Sequence, residues 1–215
     1  MLRPENLRWL TLIVFGFISG GVMYSRFLPR LFLKKDICEL SPDKNPGSAN
    51  VFVNCGVPMG MLCLFLDMFK GFLPVFIAVM TLDIHDIRFA ALLAAPVLGH
   101  AVAPFDRFHG GKCIATAFGE MIALLPVSRI VLGLAGLYIF FSTVWKINPN
   151  RVRSIVVFGL FGLGSGVWFW MQNEPAMLIG CLCISATAIL KHSKWLTSLT
   201  EKPAEAEAEK KAESL

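Results

Sequence analysis

Seven apolar segments run along the chain, and most of its charged residues and prolines lie outside them. The first, WLTLIVFGFISGGVMYSRFL (residues 9–28), is long enough to span the hydrocarbon core of a bilayer. The sequence therefore predicts an all-α fold, a polytopic integral membrane protein with about seven transmembrane helices. The other six helices are expected at about residues 57–80, 87–104, 113–126, 128–145, 154–173 and 176–191.

The fourth and fifth segments are short and lie close together in the sequence. Pro126 and Ser128 separate them, and a proline ends or kinks a helix because it lacks a backbone N–H. Two interpretations stay open here. The segments form either a pair of short helices or one long helix that bends near Pro126.

Composition supports a membrane protein. Of the 215 residues, 55% are hydrophobic and 16% are charged, and the mean hydropathy is +0.64, far more apolar than a soluble domain. The first segment lacks a small-residue cleavage site, so we expect a retained helix rather than a signal peptide. Residues 1–200 are expected to form one membrane domain, and the charged, low-complexity residues 201–215 a disordered cytoplasmic tail.

Lysine and arginine in the connecting segments predict the orientation, because these residues accumulate on the cytoplasmic side of a membrane. They are dense after the first, third, fifth and seventh segments and sparse in the alternate ones. The N-terminus is therefore expected outside and the C-terminus in the cytoplasm. The net charge of +5 reflects this distribution and gives no reason to expect a nucleic-acid partner.

The six cysteines form neither a disulfide pattern nor a metal-binding pattern. Most fall inside predicted helices or cytoplasmic loops, where thiols stay reduced. We interpret them as small apolar packing residues, and the sequence predicts neither a metal site nor a cofactor. The cysteines are Cys38, Cys55, Cys63, Cys113, Cys181 and Cys183.

Residues 99–116, GHAVAPFDRFHGGKCIAT, place polar chemistry between two apolar segments. Gly110 and Gly111 let a ligand approach the backbone, and Lys112 adds a positive charge just before a helix whose first amides favour an anion. This combination predicts a phosphate site. His100 is either part of that site or a histidine that is hydrogen-bonded for structural reasons.

Ionisable residues inside the predicted helices are the exceptions to the apolar pattern. Asp67 and Lys70 are three residues apart, so they share one helical face about three turns into the membrane. Charges at this depth are costly and usually face a functional cavity, although a neutralised pair that packs helices is the alternative. In the fourth segment, Thr116 and Glu120 continue the spacing of Lys112, which predicts that all three share one face.

A third polar cluster, KNPGSANVFVNCGVPMG, precedes the second apolar segment. Its Ser48, Asn50 and Asn54 supply hydrogen-bonding groups. Taken alone, the cluster predicts a turn followed by a helix cap. The predicted topology, however, places it on the same membrane face as His100 and Lys112, so three polar clusters are expected to converge there.

Together, these clusters resemble one family. The matching stretches are Gly47-Ser48-x-Asn50, then Leu66-Asp67-x-x-Lys70-Gly71-x-x-Pro74-Val75, then Gly99-His100 with Phe105, Phe108, Gly110-Gly111-Lys112 and Ala115-Thr116. In order and topology they are similar to the acyl-phosphate:glycerol-3-phosphate acyltransferases of bacteria. The resemblance implies seven helices, an outside N-terminus and an active site that faces the cytoplasm from the bacterial cell membrane.

The resemblance also implies acyl transfer without a covalent acyl-enzyme. The hydroxyl of glycerol 3-phosphate attacks the carbonyl of a long-chain acyl phosphate, giving lysophosphatidic acid and inorganic phosphate in phospholipid synthesis. Because an acyl phosphate is already activated, the protein has to hold two phosphate-bearing substrates together against their repulsion. The implied partners are these substrates, the lipid bilayer and the enzyme that makes acyl phosphate.

Roles for individual residues follow from the resemblance. Ser48, Asn50 and Lys112 would bind phosphate. His100 would orient or polarise a substrate oxygen, and Asp67 and Lys70 would shape the first loop from beneath. The expected catalytic residues are Ser48, His100 and Lys112. The expected substrate-binding residues are Asn50, Asn54, Asp67, Lys70, Gly110, Gly111, Thr116, Arg151 and Arg153.

The chain departs from the family at the first motif, which an arginine usually follows. Here no arginine lies between Arg30 and Arg88, so the bidentate clamp that arginine forms with phosphate is missing. We expect another cation from the same face to replace it. Arg151 and Arg153, in the loop that begins INPN, are the favoured candidates, and Lys44 is the alternative.

The sequence bears on two alternatives to acyl transfer from acyl phosphate. A divergent relative that binds a phosphorylated lipid, or moves a small anion, stays open as an alternative. A second acyltransferase class separates its histidine and aspartate by four residues, whereas five lie between His100 and Asp106. That class is therefore excluded, and no serine or cysteine sits in a nucleophile-elbow pattern.

Overall fold

The computed structural model describes residues 3–193, and every regular element in that range is helical. The all-α class is therefore confirmed for the described part of the chain. A 3₁₀ turn, Pro104–Asp106, follows the sixth helix, and a π turn, Phe140–Val144, extends the eighth. The helices are α1 Pro4–Gly21, α2 Tyr24–Leu33, α3 Ile37–Leu40, α4 Ser48–Cys55, α5 Val57–Thr81, α6 Arg88–Val102, α7 Ile114–Ala123, α8 Ile130–Ile139, α9 Asn150–Met171 and α10 Pro175–His192.

Four of these helices, α5, α6, α9 and α10, are each long and apolar enough to cross a membrane. α1 and α2 meet the same criterion together, as one broken span bent by 46°. α7 has 10 residues, which extend only about 15 Å, half the thickness of the hydrocarbon core. The described residues thus form a multi-pass membrane protein with four or five spans by this criterion, and the seven spans and their orientation stay a prediction.

Residues 9–28 do not form the single helix that the sequence predicts, because the chain breaks between α1 and α2. The break takes the carbonyl of Val22 out of the helical hydrogen-bond pattern. The Nζ of Lys70, on α5, donates to that carbonyl at 2.6 Å. Ser25, in the first turn of α2, donates to Asp67 on the same face of α5. The break is stable because a neighbouring helix supplies the missing partners.

Asp67 and Lys70 also form an ion pair with each other, with the Oδ1 of Asp67 2.8 Å from the Nζ of Lys70. Each residue is only 2% exposed, so both point into the bundle and not at lipid, as the cost of a charge in hydrocarbon requires. We call this pair, with its bonds to the break between α1 and α2, the Asp67–Lys70 clasp. These contacts agree with the alternative given above, in which Asp67 and Lys70 are a neutralised pair that packs helices together.

Replacing Lys70 with methionine is expected to destabilise the fold by about 3–5 kcal/mol, because Asp67 would stay buried without its cation. The double variant Lys70→Met, Asp67→Leu should recover part of the loss, since no unpaired charge remains. Unfolding free energies in mixed detergent micelles measure both effects, with Lys34→Met, at an exposed position, as the control. Equal stability of Lys70→Met and the wild type would contradict a clasp.

Two further local predictions are corrected or decided by the helix boundaries. The segment from Ser48 is not a turn and cap alone, because Ser48–Cys55 forms α4, and Gly56 at φ +83° separates α4 from α5. Between α7 and α8 the chain turns around Pro126, so the interpretation as one long bent helix is wrong. The predicted tail, 201–215, lies outside the described residues.

Packing of α6 between α1 and α10, and of α5 against α7, builds a shared apolar core. Its largest fully buried side chains include Phe89, Leu92 and Leu93 of α6, Phe158 of α9 and Ile184 of α10. Burial of these side chains fixes the helices relative to one another. The same packing brings the N-termini of α4, α7 and α9 together at the end of the bundle where α6 and α10 finish.

Candidate active site

A cavity of about 280 Å³ lies at this end of the bundle. The first turns of three helices line it, with Ser48 from α4, Ala115 from α7 and Arg151 from α9. A helix N-terminus carries unpaired amides and partial positive charge, so each of the three favours an anion. His100 and His192 line the cavity from the last turns of α6 and α10. The arrangement suits bound molecules that together carry more than one anionic group.

Seven of the predicted site residues line this cavity. They come from separate stretches of the chain, α4, α5, α6, the segment before α7, and α9, which the fold brings together. The seven are Ser48, Asn50, Asp67, His100, Lys112, Arg151 and Arg153.

The other five predicted residues do not line the cavity. The amide of Asn54 donates to the backbone of its own helix at 2.8 Å, and Lys70 belongs to the Asp67–Lys70 clasp. Thr116 is fully buried among the helices. Gly110 and Gly111 pack closely against His100 and Ala101 at the end of α6. The five are Asn54, Lys70, Gly110, Gly111 and Thr116.

Lys112 does not share a helical face with Thr116 and Glu120, so that prediction is wrong. α7 begins only at Ile114, and Cys113 before it takes the left-handed conformation, with φ at +68°. This turn separates the direction of Lys112 from that of the helix. Lys112 is consequently partly exposed at the cavity, whereas Glu120 is fully buried in the bundle.

Lys112 contacts a carboxylate that the sequence analysis did not select. Its Nζ lies 2.6 Å from the Oδ2 of Asp43, and the amide of Asn50 donates to Oδ1 of the same carboxylate at 2.9 Å. Burial alone would raise the pKa of Asp43, but the hydrogen bonds from Lys112 and Asn50 outweigh it and hold that pKa below its usual value. Asp43 is thus ionised at neutral pH, and its carboxylate contacts Lys112 and Asn50, two residues predicted to bind phosphate.

His100 is held from the side by the segment before α7. It is 4% exposed, and its backbone carbonyl accepts a hydrogen bond from the amide of Gly111 at 3.2 Å. A Cβ at Gly111 would overlap the Nε2 of the imidazole, so only glycine permits this approach. The Nδ1 of His100 makes no hydrogen bond to residues 3–193. A buried donor or acceptor needs a partner, so this nitrogen is available to a ligand.

Two arginines enter the cavity from the first turn of α9. The Nε of Arg151 donates to the backbone carbonyl of His192, which anchors the guanidinium by one edge. Arg153 donates through Nη2 to the side chain of Asn150 at 2.6 Å. Its buried Nε has no partner among the residues described. Both guanidinium groups therefore keep donors for an anion in the cavity.

The sequence analysis missed several polar residues that line the cavity, among them Asp43, Tyr138, Ser154 and His192. Of these four, only Asp43 carries a local signal, since it lies five residues before Ser48 in the same polar stretch. The hydroxyl of Tyr138 lies 3.0 Å from the Ser154 hydroxyl. The Nδ1 of His192 lies 2.8 Å from a backbone carbonyl, which only accepts, so Nδ1 carries the proton and Nε2 can accept. No group of three or more potential metal ligands occurs in residues 3–193.

Known proteins of one family resemble the chain over most of its length. The sequence model of the family described as glycerol-3-phosphate acyltransferase matches residues 10–202. The glycerol-3-phosphate acyltransferase of Syntrophotalea carbinolica is 30% identical, over 84% of this chain and 88% of the relative. Glycerol-3-phosphate acyltransferase 1 of Thermotoga maritima is 32% identical, over 70% of this chain and 89% of the relative.

Two solved structures share the fold. Both are of PlsY, described as an integral membrane glycerol 3-phosphate acyltransferase, at 28% identity over 90% of this chain and 92% of that one. The TM-score is 0.74 for its glycerol 3-phosphate form and 0.71 for its lysophosphatidic acid form. A family match over most of the sequence, relatives at this level of identity and the shared fold show that the chain belongs to the glycerol-3-phosphate acyltransferase family.

Proposed function

We propose that this enzyme transfers a fatty acyl group from acyl phosphate to glycerol 3-phosphate in the cavity lined by Ser48, His100 and Lys112. The hydroxyl oxygen of glycerol 3-phosphate attacks the acyl carbonyl carbon, and a carbon–oxygen ester bond forms as the acyl–phosphate bond breaks. The electron pair of the broken bond leaves on the phosphate, which also receives the hydroxyl proton. The products are lysophosphatidic acid and inorganic phosphate.

One observation carries this proposal: three helix N-termini and three cations surround a single cavity. The two substrates each bring about two negative charges near neutral pH, and these charges repel strongly where water is scarce. Helix N-termini and cations offset that repulsion without a metal ion. The three cations are Lys112, Arg151 and Arg153.

Each residue has a proposed task. Lys112 and Ser48 hold one phosphate, and Arg151 or Arg153 supplies the clamp that the first motif lacks. His100, whose Nδ1 has no partner within residues 3–193, orients a substrate oxygen. The acyl carbon then lies between two phosphate groups that are held in place, so positioning and electrostatics provide the catalysis. No covalent acyl-enzyme and no cofactor take part.

The proposed setting is the bacterial cell membrane, with the N-terminus outside and the cavity open to the cytoplasm. Basic residues are concentrated at the cavity end of the bundle, which supports this orientation. Acyl phosphate would then arrive from the cytoplasmic side, supplied by the enzyme that makes it. Seven crossings, including α7 and α8, complete the proposed topology.

Product formation with defined donors tests the reaction. The purified full-length protein is incubated with glycerol 3-phosphate and either palmitoyl phosphate or palmitoyl-CoA, and lysophosphatidic acid is measured. We expect product with palmitoyl phosphate only. Product with palmitoyl-CoA would show that acyl-CoA also serves as an acyl donor, contrary to the proposal. Retained glycerol 3-phosphate binding without product from either donor would favour the alternative, a relative that binds phosphorylated compounds without acyl transfer.

Replacing Gly111 with alanine is expected to lower kcat by about tenfold or more, because the new Cβ would displace the imidazole of His100. The rate of lysophosphatidic acid formation at saturating substrates measures this effect. Gly136→Ala is the matched control, since a Cβ there meets no atom within 4 Å. A Gly111→Ala enzyme as fast as the control would show that the position of His100 does not limit the reaction.

A further inference from the structure

A second cavity, of about 520 Å³, lies at the opposite end of the bundle from the candidate active site. The loop between α5 and α6, the turn between α7 and α8, and the turn between α9 and α10 surround it. α7 is short, so the hairpin of α7 and α8 leaves room between its turn and the neighbouring helices. The volume is within the range of ligand-binding pockets.

The polar rim of this cavity carries one uncompensated cation. His85 and Glu174 on the rim pair with each other at 2.7 Å. Arg129, at the start of α8, is exposed, and its side chain makes no hydrogen bond or ion pair with residues 3–193. The rim therefore offers a guanidinium fork to an anion, and phosphate oxygens match that fork in geometry.

The wall below the rim is apolar. Ile130 and Gly133 of α8 form one side, and Trp168 of α9 and Met177 of α10 form the other. Trp168 is 53% exposed, in a position where amphipathic indole rings meet the membrane interface. A cation above an apolar wall suits a molecule that has an anionic head and a hydrocarbon tail.

We propose that this cavity binds a phospholipid of the leaflet opposite the candidate active site. The lipid phosphate contacts Arg129, and the upper part of one acyl chain lies along Ile130, Gly133 and Trp168. A single exposed arginine holds a free phosphate weakly in water. The apolar wall adds burial that only a lipid can use. The site is separate from the acyl-transfer cavity, so it does not depend on the proposed reaction.

Binding of a defined lipid to two variants and a control tests this site. The probe is dioctanoyl phosphatidylglycerol, added to the full-length protein in neutral detergent micelles and counted by native mass spectrometry. Arg129→Gln removes the cation. Gly133→Leu fills the cavity, because a side chain there starts from open space. Arg8→Gln is the control, an exposed arginine at the same end of the bundle that does not line the cavity.

We expect Arg129→Gln and Gly133→Leu each to weaken phosphatidylglycerol binding by about tenfold, and Arg8→Gln to leave it unchanged. All three variants should keep wild-type thermal stability in the same micelles, which shows that they fold. Equal binding by Arg129→Gln and Arg8→Gln would overturn the proposal. So would equal binding of dioctanoylglycerol, which lacks the phosphate, or full competition by inorganic phosphate, which would show a site for free anions.

Discussion

Lys112→Gln is expected to lower kcat/KM for glycerol 3-phosphate by about a hundredfold, equivalent to about 2.7 kcal/mol of transition-state stabilisation. Lys112 stands between the N-termini of α4 and α7, where its ammonium group can reach a phosphate. Glutamine keeps a hydrogen-bond donor on a slightly shorter side chain but removes the charge. The rate of lysophosphatidic acid formation across a range of glycerol 3-phosphate concentrations gives the value.

Lys34→Gln is the matched control for this experiment. Lys34 is an exposed lysine that follows α2 and does not line the cavity, so its loss should leave kcat/KM unchanged. An equal fall in kcat/KM in both variants would show that the effect comes from the general surface charge and not from the cavity. Wild-type activity of Lys112→Gln would show that Lys112 does not contribute to the reaction.

Arg151→Gln is expected to raise the KM for glycerol 3-phosphate by about thirtyfold, with Arg153→Gln having a smaller effect. Arg151 is anchored through Nε to the carbonyl of His192, so its two terminal nitrogens remain for a phosphate. Arg153 already uses Nη2 on Asn150. Arg151→Lys should recover little, since an ammonium group cannot form the bidentate contact.

Arg107→Gln controls for the loss of a cation at the same end of the bundle, because Arg107 is exposed and does not line the cavity. Thermal stability is measured in parallel to show that the fold is intact. An unchanged KM in both Arg151→Gln and Arg153→Gln, with full activity, would place the compensating charge elsewhere, and Lys44 would be the next residue to test.

Helix positions were predictable where hydropathy alone determines them. The expected segments 57–80 and 176–191 agree closely with α5, Val57–Thr81, and α10, Pro175–His192. The break between α1 and α2 was not predictable, because residues 9–28 are mostly apolar and the partners that stabilise the break lie on α5, 48 residues from Val22 in the case of Lys70. Interactions at such a distance leave no local pattern.

The candidate site was predictable as far as its local motifs extend. Gly111 and Lys112 precede a helix, and that spacing pointed to an anion site before any fold was known. The Asp43 carboxylate and the His192 imidazole were missed, because their positions depend on how α4 and α10 pack around the cavity. The convergence of three helix N-termini is likewise a property of the fold and not of any one segment.

With the role proposed for Lys112, its contact with Asp43 would make phosphate binding an exchange of one counter-ion for another. A phosphate that reaches Lys112 displaces a carboxylate, so the charge balance of the lysine changes little on binding. Dissolved salt weakens the Asp43–Lys112 contact that is lost and the phosphate–Lys112 contact that is gained to a similar extent. The contribution of Lys112 to glycerol 3-phosphate affinity should therefore respond weakly to ionic strength, whereas the contributions of Arg151 and Arg153, which displace no carboxylate, should weaken as salt is added.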